Sequence, residues 1–270
     1  MKRQIFLIPL LLACLGGSVF GAETLVIPGS GSNEVLLRDL AAVFNSQHPG
    51  QEVIIPPSVG SVGGIHLVGT DQALLGRVTR PPEGGEKSFG LSYLVFARDP
   101  VVFAVGTNVK IKSLTSDQLL NIFSGKITNW QEVGGSPAII RVLVRQPGET
   151  SLRIIQECLK QFQDITFSAQ SKIMYHDYEM VEMLQKYKNS ISWLTASSVS
   201  GTSIQPIAVD NIEPSLKNTL ACTYKLVVDS ALVYKEKSLN KMSSSFIEYL
   251  FSEKGKKVIE AHGVIPVARD

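Results

Sequence analysis

The segment Thr24-Leu25-Val26-Ile27-Pro28-Gly29-Ser30-Gly31-Ser32 leads into a helical pattern over residues 33–46 and is the clearest indication of the fold. An apolar strand, a turn of small residues and an amphipathic helix follow one another without a break. The same order returns with a strand at residues 53–55, a helix from residue 61 or 62, and a strand over 73–79. Alternating strands and helices predict an α/β lobe built on a parallel sheet.

The rest of the chain continues the α/β pattern. Further strands are predicted over residues 93–96, 101–105, 139–144, 191–194 and 226–234. Helices are predicted over residues 114–123, 151–163, 178–187 and 246–261, and a surface loop over residues 82–90. The strands at 101–105 and 226–234 are long and apolar, and they are placed to cross between two lobes. We therefore predict that residues 23–103 and 224–270 form one lobe and residues 104–223 the other.

Residues 1–22 have the pattern of an export signal. Two basic residues precede an apolar run over residues 5–15, which is too short to span a bilayer comfortably. The residues before Ala22 fit signal cleavage there, whereas Leu11-Leu12-Ala13-Cys14 resembles a bacterial lipobox that would attach a lipid to Cys14. Both alternatives remain open, and we favour cleavage because the chain stays apolar after the cysteine. Either one predicts a periplasmic or other extracytoplasmic location.

The charge balance argues against binding to nucleic acid or to a membrane surface. The 270 residues include 26 Lys and Arg against 24 Asp and Glu, and two of the basic residues lie in the signal. The remainder is therefore neutral, whereas nucleic-acid binding requires a basic face. The four histidines show no metal-ligand spacing, so we expect neither a metal nor a cofactor.

Two cysteines and two tryptophans remain after the signal. An oxidising compartment permits a disulfide between Cys158 and Cys222, but two separate buried thiols are an equal alternative. We expect Trp130 and Trp193 to lie in the core or on a lobe surface and not to act as stacking platforms.

Three turns share one design, in which small residues with a Ser or Thr hydroxyl lead directly into a helix. They lie at residues 29–33, 60–64 and 148–151. Each aims free backbone N–H groups, a hydroxyl and the positive end of a helix dipole at one point. Arg80 and Arg145 stand close to two of these turns and add positive charge. One such turn is an ordinary N-cap, but three predict an oxyanion cage in one interlobe cleft.

A longer stretch identifies the family. Residues 114–120 read Leu-Thr-Ser-Asp-Gln-Leu-Leu, and Ile122-Phe123-Ser124-Gly125-Lys126-Ile127-Thr128-Asn129-Trp130 follows them. Together with the three turns and the ending Gly263-Val264-Ile265-Pro266-Val267, this stretch resembles the substrate-binding proteins of phosphate ABC transporters. The resemblance covers essentially the whole chain after the signal. It implies a type 2 periplasmic-binding-protein fold, in which two α/β lobes joined by two crossover strands close on the ligand.

The same resemblance implies what the protein does and with which residues. A monomer would capture phosphate or a related oxyanion and deliver it to a membrane ABC permease, without catalysing a reaction. Many relatives end the third strand with an aspartate that accepts the proton of hydrogen phosphate, where this chain has Thr79-Arg80. The ligand contacts that we predict from the resemblance and from the turns are Ser32, Asn33, Ser61, Arg80, Arg145, Glu149, Thr150 and Ser151.

Glu149 departs from the family pattern, because it replaces a ligand-facing serine in a Gly-Ser-Gly-Thr loop. A carboxylate about 4 Å from a phosphate charge costs roughly 4 kcal/mol at an effective dielectric constant of about 20. That cost is on the order of a thousandfold in affinity. Three interpretations remain open: Glu149 turns to solvent, pairs with Arg80 or Arg145, or accepts the proton of a hydrogen-bearing oxyanion. Phosphate is the best single candidate for the ligand.

Two other functions remain alternatives. A sensory or adhesive module could use the same closing cleft without transport, because both functions need only binding. An exported phosphate-handling enzyme would need a nucleophile with a base, or a metal cluster. The sequence offers neither, so the enzyme is the least favoured alternative.

Overall fold

A computed structural model describes residues 23–269 of the chain. The predicted export signal at residues 1–22, with Cys14, lies outside the described residues. The strands are β1 (Glu23–Val26), β2 (Gln51–Ile54), β3 (Leu75–Val78), β4 (Ser92–Val105), β5 (Ser113–Leu114), β6 (Arg141–Arg145), β7 (Lys172–Met174), β8 (Ser190–Thr195), β9 (Gln205–Pro206), β10 (Ala208–Val209), β11 (Val227–Tyr234) and β12 (Ile265–Pro266). The helices are α1 (Glu34–Gln47), α2 (Gly60–Gly69), α3 (Ser116–Phe123), α4 (Thr150–Cys158), α5 (Asp177–Lys186), α6 (Ala196–Val199), α7 (Leu216–Leu220), α8 (Lys241–Phe251) and α9 (Glu253–Ala261).

One mixed sheet connects the two lobes, with the strand order β3-β11-β4-β8-β6-β7. The long strand β4 pairs with β11 as far as Pro100 and with β8 from Val101 onward. The strand β6 runs parallel to β7 and β8, and β1 runs parallel to β2. The predicted parallel sheet is nevertheless wrong at β11, which is antiparallel to both of its neighbours. The reason is that β11 brings the chain back from the second lobe.

Both predicted crossover strands pass from one hydrophobic core to the other. In β4, Phe96 packs in the core of the first lobe and Phe103 in the core of the second. In β11, Val228 packs in the second core and Leu232 in the first. The two cores are therefore joined by two strands. The lobe boundaries at residues 103/104 and 223/224 stay a prediction.

Local signals account for the helix in the family-identifying stretch. Thr115 caps α3 by accepting a hydrogen bond from the Gln118 backbone N–H, and the Gln118 side chain bonds back to complete a capping box. Gly125 follows the helix with a φ of 81°, a conformation that favours glycine. The helix is thereby oriented to pack Phe123 against Trp193, with ring centroids 5.2 Å apart. Both tryptophans are buried, as expected.

Two predictions about elements are wrong. The strands predicted at residues 93–96 and 101–105 form one continuous strand, because the residues between them still pair with β11. The helix predicted over residues 246–261 is divided into α8 and α9 at Ser252, whose Oγ accepts a hydrogen bond from Gly255 N at 3.1 Å and caps α9. The predicted loop over residues 82–90 does lie at the surface, since none of its residues is buried, and it contains a 3-10 turn at Gly84–Phe89 whose capping box is closed by Glu86.

The cysteines also differ from both expectations. Cys158 and Cys222 are free thiols, and both are exposed. The disulfide and the alternative of two buried thiols are therefore wrong for this structure. Across residues 23–269, no helix is long and apolar enough to cross a bilayer.

Candidate functional site

A cleft of about 490 Å³ lies between the lobes at the three predicted turns. It brings together six of the eight predicted ligand contacts, namely Ser32, Ser61, Arg80, Arg145, Glu149 and Thr150. Asn33 and Ser151 do not line the cleft. Asn33 is fully buried and its Nδ2 donates to the Val78 carbonyl at 3.0 Å, so it anchors the first turn to β3. Ser151 lies behind Glu149, where its Oγ accepts a hydrogen bond from Trp193 Nε1 at 3.0 Å.

A fully buried arginine, Arg77, fixes the backbone of the first turn, residues 29–33. Arg77 donates from Nε to the Ser30 carbonyl at 2.8 Å and from Nη1 to the Ile27 carbonyl at 2.5 Å. Its Nη2 bonds to Glu34 Oε2 at 3.2 Å and to the Pro56 carbonyl at 2.8 Å. Burial lowers the pKa of Arg77 to about 10, and the nearby Glu34 opposes that shift. The charge of Arg77 is thus used to fix backbone and is not offered to the cleft.

Three hydroxyl groups line the cleft in a chain that joins the two lobes. The Ser61 and Thr79 hydroxyl oxygens lie 3.3 Å apart, and the Thr79 backbone N–H donates to Ser61 Oγ at 3.2 Å. Thr79 Oγ1 then donates to Thr150 Oγ1 of the other lobe at 3.1 Å. Sequence reasoning did not assign Thr79 to the site. Its position directly after β3 and next to Arg80 could have identified it as a residue of the site.

Arg145 is a buried cation at the cleft with hydrogen-bond donors that have no partner among the described residues. It ends β6 and is only 6% exposed. Its Nε and Nη1 are buried and have no hydrogen-bond partner among the described residues. Its Nη2 lies 3.4 Å from Asp177 Oδ2, a carboxylate at the start of α5 that the sequence analysis missed. Arg145 therefore has donors free for an anion, together with one carboxylate at its side.

Arg80 lines the same cleft, but its charge is already matched. It binds Glu86 through two hydrogen bonds, from Nη1 at 2.7 Å and from Nη2 at 2.9 Å. This pairing raises the pKa of Arg80 and lowers the pKa of the Glu86 carboxyl, in each case against the effect of burial. This bidentate pairing occupies the guanidinium donors that would otherwise bind an oxyanion.

Glu149 is the N-cap of α4, and its carboxylate turns inward. Its Oε2 accepts hydrogen bonds from the Ser151 backbone N–H at 2.9 Å, from Leu152 N at 3.3 Å and from the Ser151 hydroxyl. Its Oε1 accepts from Ser32 Oγ of the other lobe at 3.4 Å. Burial raises the pKa of Glu149, and the nearby Arg145 opposes this shift.

These contacts argue against two of the three interpretations of Glu149. The interpretation that it turns to solvent is wrong, because both carboxylate oxygens are bonded within the protein. Among the described residues Glu149 forms no ion pair within 4.0 Å with Arg80 or Arg145, whose carboxylate partners are Glu86 and Asp177. The interpretation that Glu149 accepts a ligand proton stays a prediction.

A larger cavity of about 650 Å³ opens on the second lobe, away from the three turns. Four cations line it: Arg141, Lys172, Lys186 and Lys188. Arg141 stacks over the Tyr187 ring at 3.9 Å, and α5 ends at Lys186. Cations are stabilised at the carboxyl end of a helix, which accounts for Lys186, whereas Arg141 and Lys172 begin the strands β6 and β7. Within residues 23–269, no cluster of three or more His, Cys, Asp or Glu could hold a metal ion.

Comparison with known proteins agrees with the fold. The PBP superfamily domain matches residues 17–254. The crystal structure of a putative phosphate ABC transporter substrate-binding protein with bound phosphate from Clostridium perfringens has a TM-score of 0.79 and 28% sequence identity, and covers 91% of this chain and 100% of that chain. The phosphate-binding protein PstS of Bacillus subtilis strain 168 is 24% identical over 93% of this chain and 83% of its own length.

A further structure supports the fold alone. An ABC-type phosphate transport receptor from Vibrio cholerae has a TM-score of 0.64 at 24% identity, and covers 89% of this chain and 99% of that chain. The predicted family resemblance and the predicted two-lobed α/β fold are confirmed by these similarities. The chain belongs to the PBP superfamily.

Proposed function

We propose that this protein is an extracytoplasmic solute-binding protein that captures an inorganic oxyanion, with phosphate as the leading candidate, and delivers it to a membrane ABC permease. The observation that carries the proposal is Arg145, whose Nε and Nη1 are buried at the cleft without a partner in the described residues. Asp177 already pairs with Nη2 of Arg145, so the two remaining buried donors favour a further oxygen acceptor, because buried donors without a partner are costly.

The surroundings of Arg145 suit a small anion with several oxygens. The hydroxyls of Ser61, Thr79 and Thr150 line the same cleft, and Ser61 lies in the first turn of α2. Free N–H groups and the positive end of a helix dipole favour an anion at such a position. Phosphate is favoured over other oxyanions by the similarity to the phosphate-bound protein from Clostridium perfringens.

We propose binding without catalysis. Ser61, Thr79 and Thr150 hydrogen-bond to one another and not to a histidine or a carboxylate, so these three hydroxyls lack the adjacent base that activates a nucleophile. We further propose that the protein acts as a monomer, held outside the cytoplasmic membrane after cleavage near Ala22 or through a lipid on Cys14. A sensory module without transport is the second candidate, because the cleft serves both.

A ligand panel on residues 23–270 tests the proposal. Isothermal titration calorimetry with phosphate, arsenate, sulfate and molybdate should give saturable 1:1 binding of phosphate, with arsenate close behind because of its similar size and protonation. Thermal unfolding should shift upward with the same ranking, since a ligand that binds only the native state stabilises it. Absence of binding to all four anions would refute an oxyanion-binding function. Stimulation of ATP hydrolysis by the cognate permease in vesicles separates transport from sensing.

A further inference from the structure

We propose that the Glu149 carboxylate acts as an internal ligand, which occupies the anion position at the N-terminus of α4 and has to be displaced by the captured oxyanion. The inference rests on the proposed function, since it describes how the same cleft is regulated. It assigns Glu149 the role of setting affinity and its pH dependence.

The contacts of Glu149 are those expected of a bound anion. Its two oxygens accept from two backbone N–H groups at the helix start, from the Ser151 hydroxyl, and from the Ser32 hydroxyl across the cleft. Ser32 and Ser151 are donors that the family resemblance assigns to the ligand. Each hydroxyl has a single hydrogen to donate, so an incoming anion cannot receive these bonds while Glu149 holds them.

Arg145 provides the second, independent observation. It is buried at the same cleft, yet Glu149 does not pair with it, and its Nε and Nη1 lack partners in the described part of the chain. The Glu149 carboxylate therefore satisfies the N–H groups at the start of α4, while Nε and Nη1 of Arg145, which pairs with Asp177 through Nη2, keep no partner among the described residues. An oxyanion that binds Arg145 next to Glu149 would place two like charges close together, which favours release or protonation of the carboxylate.

The charged groups around Glu149 set the direction of the pH effect. Arg145 and Asp177 line the cleft with it, His176 stands at the start of α5, and Arg80 of the first lobe is matched by Glu86. Burial raises the pKa of Glu149, Asp177 raises it further, and Arg145 with the hydrogen bonds lowers it. A protonated carboxyl is a weaker acceptor than a carboxylate, so binding of an external anion should strengthen as the pH falls.

Glu149→Ser is the decisive variant, because serine is also a good N-cap but carries no carboxylate. An incoming anion must break the charge-assisted hydrogen bonds that Glu149 makes at the start of α4, and one such bond corresponds to about tenfold in affinity, so removal of the carboxylate should tighten anion binding at least about tenfold. Sulfate is the sharper probe, because it stays fully ionised between pH 5.5 and 8 while phosphate does not. We expect both anions to bind Glu149→Ser more tightly, and the sulfate affinity to lose the pH dependence of the wild type.

Calorimetry across this pH range, on the wild type, Glu149→Ser and Glu149→Gln, decides the matter. An unchanged affinity in Glu149→Ser would overturn the inference, and so would weaker phosphate with tighter sulfate, which would show that Glu149 accepts a ligand proton. If Glu149→Ser failed to fold, the neutral Glu149→Gln should still show a gain, and no gain there refutes the internal ligand. If neither the wild type nor any variant binds an oxyanion, the proposed function fails as well, whereas wild-type binding without a gain refutes this inference alone.

Discussion

Two buried arginines, Arg77 and Arg145, differ in whether neighbouring groups occupy their hydrogen-bond donors. Both follow short apolar runs, Leu74-Leu75-Gly76 and Val142-Leu143-Val144. Arg77 donates to three carbonyls and to Glu34, so its guanidinium is structural. Arg145 keeps two donors free at the cleft. The arginine that we propose for ligand binding is therefore distinguished from Arg77 by its two free hydrogen-bond donors.

Replacing Arg145 by alanine should weaken phosphate binding by about 3 kcal/mol, which is the scale for losing one partner of a buried charge pair. This corresponds to roughly a hundredfold rise in Kd. Arg98→Ala is the matched control, since the Arg98 side chain is 62% exposed and lies outside the cleft. Calorimetric titration of phosphate into both variants measures the effect. An equal affinity in the two variants would place the ligand elsewhere.

At the scale of elements, the first turn depends on close backbone contact with β3. Gly29 has a φ of 146°, and a Cβ at this position would lie 1.8 Å from the Arg77 carbonyl oxygen. The Ser30 backbone N–H donates to that same carbonyl at 2.9 Å. The glycine and the buried arginine together position the start of α1, with Ser32 at the cleft.

Arg77→Met should therefore destabilise the whole protein. The change leaves the Ile27, Ser30 and Pro56 carbonyls without this donor, and removes a buried partner of Glu34. We expect a loss of about 3–5 kcal/mol, as is usual for one partner of a buried ion pair. Urea unfolding followed by circular dichroism measures it.

Arg38 provides the control for Arg77→Met, because it binds the same Glu34 carboxylate from the protein surface. Arg38 also pairs with Glu34, at 2.6 Å, but its side chain is 56% exposed. Arg38→Met should cost less than about 1 kcal/mol, because exposed ion pairs contribute little. If both variants lost the same stability, the buried hydrogen bonds of Arg77 would not be what holds the turn.

At the scale of the whole molecule, hydrogen bonds across the cleft hold the lobes together. Thr195 Oγ1 donates to the Ser32 carbonyl at 2.8 Å, and the Ser197 hydroxyl lies 3.3 Å from the same oxygen. The Ser197 hydroxyl and backbone N–H also donate to Asp99, a fully buried carboxylate in β4. Asp99 thus connects a crossover strand to the turn that carries Ser32.

The Asp99 carboxyl should make stability depend on pH. Burial raises its pKa to about 7, the hydrogen bonds from Ser197 oppose this, and Asp177 adds to it. Between about pH 4 and pH 7 the unfolded chain releases this proton while the native protein keeps it. The contribution of Asp99 to stability is therefore fully present below about pH 4, is lost as the pH rises to 7, and changes little above.

Asp99→Asn removes that dependence. The amide can still accept from the Ser197 N–H, so the variant should gain stability relative to the wild type from pH 4 to pH 8 by up to about 4 kcal/mol. Urea unfolding at both pH values measures this difference. Asp229→Asn, at a partly exposed carboxylate of β11, is the control and should give no such gain. A pH dependence that is the same in Asp99→Asn and the wild type would contradict the prediction.

Local sequence patterns were sufficient to predict most of the helices and strands and the location of the three turns. Periodicity placed most strands and helices, Thr115 and Gln118 marked the start of α3, and the turns at residues 29–33, 60–64 and 148–151 do converge on one cleft. These features depend on residues a few positions apart, so local rules are sufficient. The family-identifying stretch then supplied the two-lobed fold.

The groups that are free at the cleft could not be predicted from local sequence, because their partners lie far apart along the chain. Ser32 meets Glu149 across 117 residues of sequence, and Thr79 meets Thr150 across 71. Residues separated so far along the chain show no periodic pattern that would predict their contact. Arg80 pairs with Glu86, but the local sequence permits several other pairings for it. Free donors are what remains after every other partner has been assigned, so they follow from the packing of the whole chain and not from any one segment.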